Sequence, residues 1–415
     1  MKEICFIFLI ARLIFSINTE MAGFSQTSSS KNYNSELQIY GDTLRKVDFQ
    51  SYVKDPVYLD SLNQYIIQSI ADSAFPGCAI AVGYQGKLIM QKAFGHQTYN
   101  PGSKEVKSNS IFDLASLTKV VATTTSFMIL YERGKVSLNE QVQNLIPDFS
   151  GKNKDLVTIR HLLTHTSGLP AWKRLYLETS GKDNFFHEIC ITDLEYVPGT
   201  KTIYSDLGMI LTQRIIETIA QQPLDQFFYE NIAYPLEMRR TFFNPDRTLL
   251  PEIIPTEISP WHKKLVHGYV HDENSYAMGG IAGHAGLFST AEDLAIFCQM
   301  YLNGGAYKHS RILQPETISL FTSRQNIEEG STRALGWDTR SDLGSSSGKY
   351  MSNRAFGHTG FTGTSIWLDP VNHIFVVFLT NRVHPTRENQ KIYHARTNVH
   401  DYIMKAILDI SHFDQ

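Results

Sequence analysis

A serine followed three positions later by a lysine is the simplest pairing in this 415-residue chain that can perform nucleophilic chemistry. A serine hydroxyl is a weak nucleophile at neutral pH and needs a base to take its proton as it attacks. On a helix, positions i and i+3 share a face with Cβ atoms about 5–6 Å apart, so the amine can approach the hydroxyl. The spacing occurs at Ser28/Lys31, Ser51/Lys54, Ser116/Lys119 and Ser346/Lys349, so spacing by itself selects nothing. Three of these pairs lie in polar or linker-like sequence. Ser116 instead opens Ala115-Ser-Leu-Thr-Lys-Val-Val-Ala-Thr, whose apolar spacing predicts a helix over Leu117 to Tyr131, closed by Gly134. Its N-terminus would aim backbone donors at a developing oxyanion. To act as a neutral base near pH 7, Lys119 needs a pKa lowered by about three units, or roughly 4 kcal/mol, which burial and neighbouring cations can supply. The plain alternative is an N-capping serine beside a surface lysine.

Two further motifs follow in order. Tyr204-Ser-Asp-Leu-Gly lies in the middle of the chain, and His358-Thr-Gly-Phe-Thr-Gly-Thr-Ser opens a predicted strand near its end. With Ile159-Arg-His-Leu-Leu-Thr-His-Thr-Ser-Gly-Leu-Pro, the ordered set resembles the serine β-lactamase and penicillin-binding-protein superfamily, in its class C-like branch of esterases and D-peptidases. Val270-His-Asp-Glu-Asn and Gly279-Gly-Ile-Ala-Gly-His-Ala-Gly-Leu-Phe-Ser-Thr are similar to envelope serine hydrolases grouped with penicillin-binding protein 4B. The resemblance covers roughly residues 55 to 410.

It implies a serine hydrolase that works through an acyl-enzyme on an ester, a D-amino-acid peptide or a cell-wall-derived amide, and it implies no cofactor. Ser116 is then the nucleophile, Lys119 and Tyr204 move protons, and the third motif lines the carbonyl pocket from an edge strand. The expected oxyanion donors are the N–H groups of Ser116 and Phe361. Thr359, Gly360 and Phe361 line the substrate site, with Gly360 and Gly363 permitting close approach, and Trp172 is a candidate wall. Two positions depart from the family pattern. Asp206 stands where Asn is common; when ionised it only accepts hydrogen bonds and favours a charged Lys119. That points to Tyr204, or to a Lys119–Asp206 pair acting through a proton network, rather than to a plainly neutral lysine. His358 stands where Lys is usual, so binding of a substrate carboxylate should weaken, and its titration is expected to shape the rate between about pH 5.5 and 7.5. Both departures disfavour a class C-type β-lactamase, one alternative activity. Another is a non-catalytic binder of cell-wall peptide on the same fold.

These residues must be held by distant elements. Helical spacing runs from Tyr58 to Ala74. Cys78 to Gly83 and Lys87 to Phe94, joined by Tyr84-Gln-Gly, read as a hairpin. From about 135 to 310, helical runs alternate with Pro/Gly loops. Thr364 to Leu368 and Ile374 to Thr380 read as strands, and a last helix is expected near Thr397 to Leu408. The expected class is α+β: an antiparallel sheet flanked by helices, built from both ends of the chain, with a mainly helical subdomain inserted between them.

Composition supports this frame. Lys plus Arg number 38 and Asp plus Glu 41, for a formal net charge of -3, so nucleic-acid binding has no electrostatic footprint. The apolar run Ile4 to Ile17 would reach about 21 Å as a helix, short of the roughly 30 Å of a bilayer core. It reads as a secretory signal over 1–25, cut after Ser25, followed by a Ser- and Asn-rich tether over 26–55. A secreted or periplasmic protein without a stable membrane span is expected, acting on a small-molecule or peptide substrate. Cys78, Cys190 and Cys298 sit among apolar neighbours and imply buried thiols without a disulfide framework. His161/His165 and His267/His271 have i, i+4 spacing, yet Leu162 and Gly268 break any zinc-protease pattern, so no metal is expected and loop-fixing roles are. His271-Asp-Glu and His284 are candidates for the cleft mouth.

Overall fold

The computed structural model describes residues 43–408. The expected signal peptide and the first part of the tether lie outside the described residues. A sheet of seven strands carries the fold: β1 (Arg45–Lys46), β2 (Gly77–Tyr84), β3 (Lys87–Gly95), β4 (Asp338–Thr339), β5 (Phe356–Thr359), β6 (Ser365–Asp369) and β7 (Ile374–Thr380). Their order is β1-β3-β2-β7-β6-β5-β4, antiparallel throughout except for the parallel β1–β3 pair. The two ends of the chain meet at the β2–β7 pair, where Cys78 lies opposite Thr380 and Tyr84 opposite Ile374. The class is α+β.

Strands β2 and β7 are apolar at nearly every position because both faces of the sheet are covered. Cys78, Ile80, Val82, Val376 and Phe378 face one core, shared with Leu62 and Ile66 of α1 (Pro56–Ala71) and with Val399 and Ile403 of the last helix. Ala79, Ala81, Phe375, Val377 and Leu379 face the other, with Leu294, Ala295 and Cys298 of the helix Ala291–Leu302. One residue of register slip would exchange these two sets, so the alternation fixes the pairing. The three thiols are buried and free, as expected.

Several boundaries differ from the sequence reading. Residues 43–55 are packed onto the domain: β1 pairs with β3, Phe49 is buried, and the Lys54 N–H donates to the Ala406 carbonyl. The first helix starts at Pro56, with the Asp55 carboxylate capping the Val57 N–H, and ends before Ser73, whose φ is +59°. The last helix begins at Ile392, one turn early, because the polar stretch around Arg396 hides a buried face. The mid-chain region holds helices such as Lys182–Ile191, but also a small sheet of Phe112–Asp113, Leu287–Ser289 and Phe242–Phe243. Helix Ala291–Leu302 packs on the main sheet, so the inserted part ends before it rather than near 310. Among the described residues, no helix is long and apolar enough to cross a membrane.

Candidate active site

Ser116 stands on a turn built for it. Asp113 ends a short strand, its buried carboxylate accepting the N–H groups of Ala115 at 2.9 Å and His271 at 2.7 Å. Ala115 takes φ +46°, a left-handed conformation that costs an alanine roughly 1–3 kcal/mol and persists only where its surroundings fix it. The chain then turns directly into the π-helical segment Lys119–Thr124 and the α-helix Thr125–Glu132. Wide helical turns of this kind are frequent at functional sites.

Lys119 is fully buried. Its Nζ lies 2.9 Å from Ser116 Oγ, 2.7 Å from Asp206 Oδ1 and 3.0 Å from the His284 carbonyl oxygen. Two N–H bonds thus donate to Ser116 and to the His284 carbonyl, and the carboxylate beside the amine makes an ion pair that favours the ammonium form. Burial pulls its pKa down, but the Asp206 carboxylate, with Tyr204 adding to it, carries it above the ordinary lysine value. Asp206 occupies the first turn of the helix Asp206–Ala220, where the helix dipole favours a carboxylate, and Ser205 caps that helix through the Gly208 N–H.

Tyr204 precedes the cap. Its hydroxyl is buried without a hydrogen bond of regular geometry among the described residues, although Ser116 and Lys119 both flank it closely enough to affect its titration. Burial raises its pKa, against the pull of Lys119, so the phenol rests protonated. Lys119 Nζ lies 4.9 Å from the ring centroid and the Arg333 guanidinium 5.2 Å. The His165 ring approaches to 4.6 Å and that of His358 to 5.8 Å.

His358 lies in β5, beyond the end of the two-residue strand β4, so the sheet is locally open beside it. The ring is buried, with Nδ1 2.8 Å from the Thr359 carbonyl oxygen. Burial, then Arg333 and Lys119, lower its pKa well below the ordinary histidine value. The expectation that His358 titrates between pH 5.5 and 7.5 is therefore corrected: it stays neutral there. The turn that follows is stitched to the nucleophile's turn. Thr362 Oγ1 donates to the Asp113 carbonyl at 2.7 Å and Thr364 Oγ1 to that of Leu114 at 2.9 Å. A Cβ at Gly360 would overlap the Leu114 carbonyl oxygen, which is why this position takes glycine. Neither Ser116 N–H nor Phe361 N–H has an acceptor among the described residues.

Two cavities meet at Ser116, Tyr204 and Phe361. One, of about 250 Å³, is lined by His358, Thr359 and Gly360 and by Arg333, Arg382 and Arg396. The other, of about 300 Å³, is lined by Trp172, Asp206, His284, Arg387 and the stretch His271-Asp-Glu, so the candidate mouth residues do reach the cleft. Acids there are paired: Asp272 with His284 at 2.8 Å, and Glu273 with Arg387 at 2.6 Å. Phe361 is exposed at the junction, with the Arg382 guanidinium 4.4 Å from its ring. The arrangement brings together Ser116, Lys119, Tyr204, Asp206, His358, Thr359, Gly360, Phe361 and Trp172. Sequence reasoning missed the arginines and His165. Arg333 belongs to no motif, and Arg396 fell in a stretch read as lying ahead of the last helix. Among the described residues no cluster of three or more metal-ligating side chains occurs.

A hydroxyl held 2.9 Å from a buried amine in a two-lobed cleft is the geometry of acyl transfer, and the sequence profile of the family described as Beta-lactamase matches residues 62–400. The chain belongs to the β-lactamase family. It is a serine hydrolase. A relative from Salmonella agona (strain SL483), described as a D-alanyl-D-alanine carboxypeptidase, is 35% identical over 79% of this chain and 83% of its own. Among solved structures, EstCE1, a hydrolase with promiscuous acyltransferase activity, superposes with a TM-score of 0.68 at 22% identity, covering 84% of this chain and 99% of that one. The octameric penicillin-binding protein homologue from Pyrococcus abyssi gives 0.63 at 22% identity, covering 81% and 76%. At that identity the two structures speak for the β-lactamase-family fold alone.

Proposed function

We propose that the protein is a carboxypeptidase that removes the last residue from peptides ending in D-alanyl-D-alanine, by way of an acyl group on Ser116. The observation that carries the substrate choice is Arg333. Its guanidinium faces the reactive cleft beside Tyr204 with no acidic partner among the described residues, and Arg382 and Arg396 line the same lobe. Arg382 donates to the carbonyls of Phe361, Arg387 and Asn389, and Arg396 to those of Gly360 and Thr364. These two add positive charge to the lobe, while Arg333 supplies the guanidinium suited to a substrate carboxylate. Arginine thus takes over the anchoring that His358 was expected to weaken. The name of the Salmonella relative points the same way.

In this reading Ser116 Oγ attacks the penultimate carbonyl carbon while the N–H groups of Ser116 and Phe361 hold the oxyanion. The Ser116 proton passes to Lys119 as Lys119 yields one across the 2.7 Å contact to Asp206, so the ion pair serves as the proton sink. Tyr204 gives its hydroxyl proton to the departing amine and regains one from the network. Water then attacks the acyl-enzyme and restores Ser116. A cleavable signal over 1–25 would deliver the enzyme outside the cytoplasm, where such peptides occur.

The test is a comparison of one acyl group with three leaving groups: free D-alanine, D-alanine amide and p-nitrophenol, with Ser116→Ala as the blank. Arg333→Leu is expected to lower kcat/KM for the free carboxylate by about 30-fold or more, the worth of a charge-assisted bond of roughly 2 kcal/mol, and to leave the amide and ester within a few-fold. Equal losses on all three would remove Arg333 from carboxylate recognition and return the ester to first place.

A further inference from the structure

The histidine at the end of Ile159-Arg-His-Leu-Leu-Thr-His has no part in the chemistry above, yet it holds both chain neighbours of the proton shuttle and lays its ring against the phenol. The His165 carbonyl accepts the N–H of Ile203 at 2.9 Å, and its ring Nδ1 accepts the N–H of Ser205 at 3.1 Å. The residues on both sides of Tyr204 are thus tied to one residue 39 positions earlier, and the ring itself lies against the phenol at 4.6 Å. His165 can do this because its own backbone is left-handed, at φ +59°, which turns carbonyl and side chain toward the same strand of chain. The Tyr196 hydroxyl adds a donor to the same carbonyl at 3.4 Å.

We propose that His165 is a positioning residue for Tyr204: with Nδ1 as acceptor and the ring as a wall, it sets the phenol at the point where it can protonate the leaving group. The inference rests on the reading of Tyr204 as the shuttle in a Ser116 hydrolase. Because Nδ1 accepts a backbone N–H, the ring proton sits on Nε2, and a second proton would convert the acceptor to a donor and break the tie to Ser205. Burial, then Arg333, Lys119 and His358, lower the pKa of His165 well below the ordinary value, so the acceptor survives through the neutral range. The charged and titratable groups around the phenol are Lys119, Asp206, Arg333, His358 and His165 itself.

A shuttle that protonates the leaving group matters for an amine, which must depart protonated, and little for p-nitrophenolate, which departs as the anion. The experiment therefore compares a D-alanyl-D-alanine peptide with the p-nitrophenyl ester of the same acyl group in three variants. His165→Leu removes the acceptor but must adopt φ +59°. His165→Gly removes it and is at ease there, and His165→Asn restores an acceptor near the Nδ1 position in a residue that tolerates that backbone. Expected are a fall of about a hundredfold in kcat for the peptide in His165→Gly, the scale of a misplacement near 1 Å, an ester rate within about fivefold of wild type, and recovery of tenfold or more in His165→Asn. Peptide and ester falling together, or a peptide rate unchanged in folded His165→Gly, would overturn the proposal. Labelling of Ser116 by a fluorophosphonate keeps the two readings apart. An unlabelled wild type sinks the hydrolase mechanism itself, whereas a labelled enzyme with His165-independent turnover sinks only the positioning. If wild type cleaves esters alone, the peptidase reading fails, and an alkyl ester of the same acyl group, whose leaving alkoxide also needs a proton, takes the peptide's place: its rate unchanged in folded His165→Gly overturns the role of His165.

Discussion

Replacing Asp206 with Asn tests the proton sink directly. The carboxylate lies 2.7 Å from Lys119 Nζ, and two unit charges at that distance attract by about 6 kcal/mol at an effective dielectric of ~20. Asp206 is 19% exposed, so we halve this to about 3 kcal/mol, or about 2 pKa units. Asp206 is what holds Lys119 above the ordinary lysine value, so Asp206→Asn removes that support while burial still pulls the amine down. The variant must use neutral Lys119 as its base, a form that becomes scarcer as pH falls. Wild type needs no neutral lysine in its resting state, because Asp206 receives the proton. The expected result is a kcat/KM for the p-nitrophenyl ester about a hundredfold below wild type at pH 6, the ~3 kcal/mol of lost attraction expressed as a rate, with the gap narrowing as pH rises to 9. Stopped-flow burst rates would report the acylation step itself. The sign for stability agrees with the chosen window. A lysine with a raised folded pKa contributes stability in full below its unfolded value, and loses it only as pH rises through the folded one, so wild type keeps its ion pair between pH 6 and 9. Equal pH profiles, or an acid limb moved to lower pH in the variant, would refute the carboxylate as proton acceptor.

Two further outcomes follow from groups around the cleft. His358→Gln should leave the shape of the pH–rate profile between pH 5.5 and 7.5 unchanged, since the native ring is already neutral there; loss of an inflection in the variant would show that the ring titrates in place. Glu257 is buried; burial alone would raise its pKa, yet hydrogen bonds from His271 and Arg387 bring it from 4.5 to about 2. Its stabilisation is present above the unfolded pKa and lost as pH falls through the folded one, an order of 3 kcal/mol between about pH 4.5 and 2. Glu257→Gln should lower Tm at pH 7 and flatten its fall over that acid range, measured by thermal unfolding at a series of pH values; a Tm slope identical to wild type would contradict the pairing.

What could be read from the chain alone was whatever depends on neighbours in sequence. The β2–β3 hairpin, the β6 and β7 runs and the helix behind Ser116 follow from periodicity, because each side chain's facing is set by residues within a turn or a pleat. The Ser116–Lys119 contact is of that kind, and the ordered motifs carried the family. Even the departure at Asp206 signalled a charged Lys119, because a carboxylate's preference for a cation does not depend on the fold. Tertiary packing decided the rest. Arg333, Arg396 and His165 lie far in sequence from the residues they serve, and nothing in their local patterns aims them at the cleft. The neutrality of His358 is likewise an outcome of burial among cations from three distant segments, which overrides the intrinsic pKa that its residue type supplies.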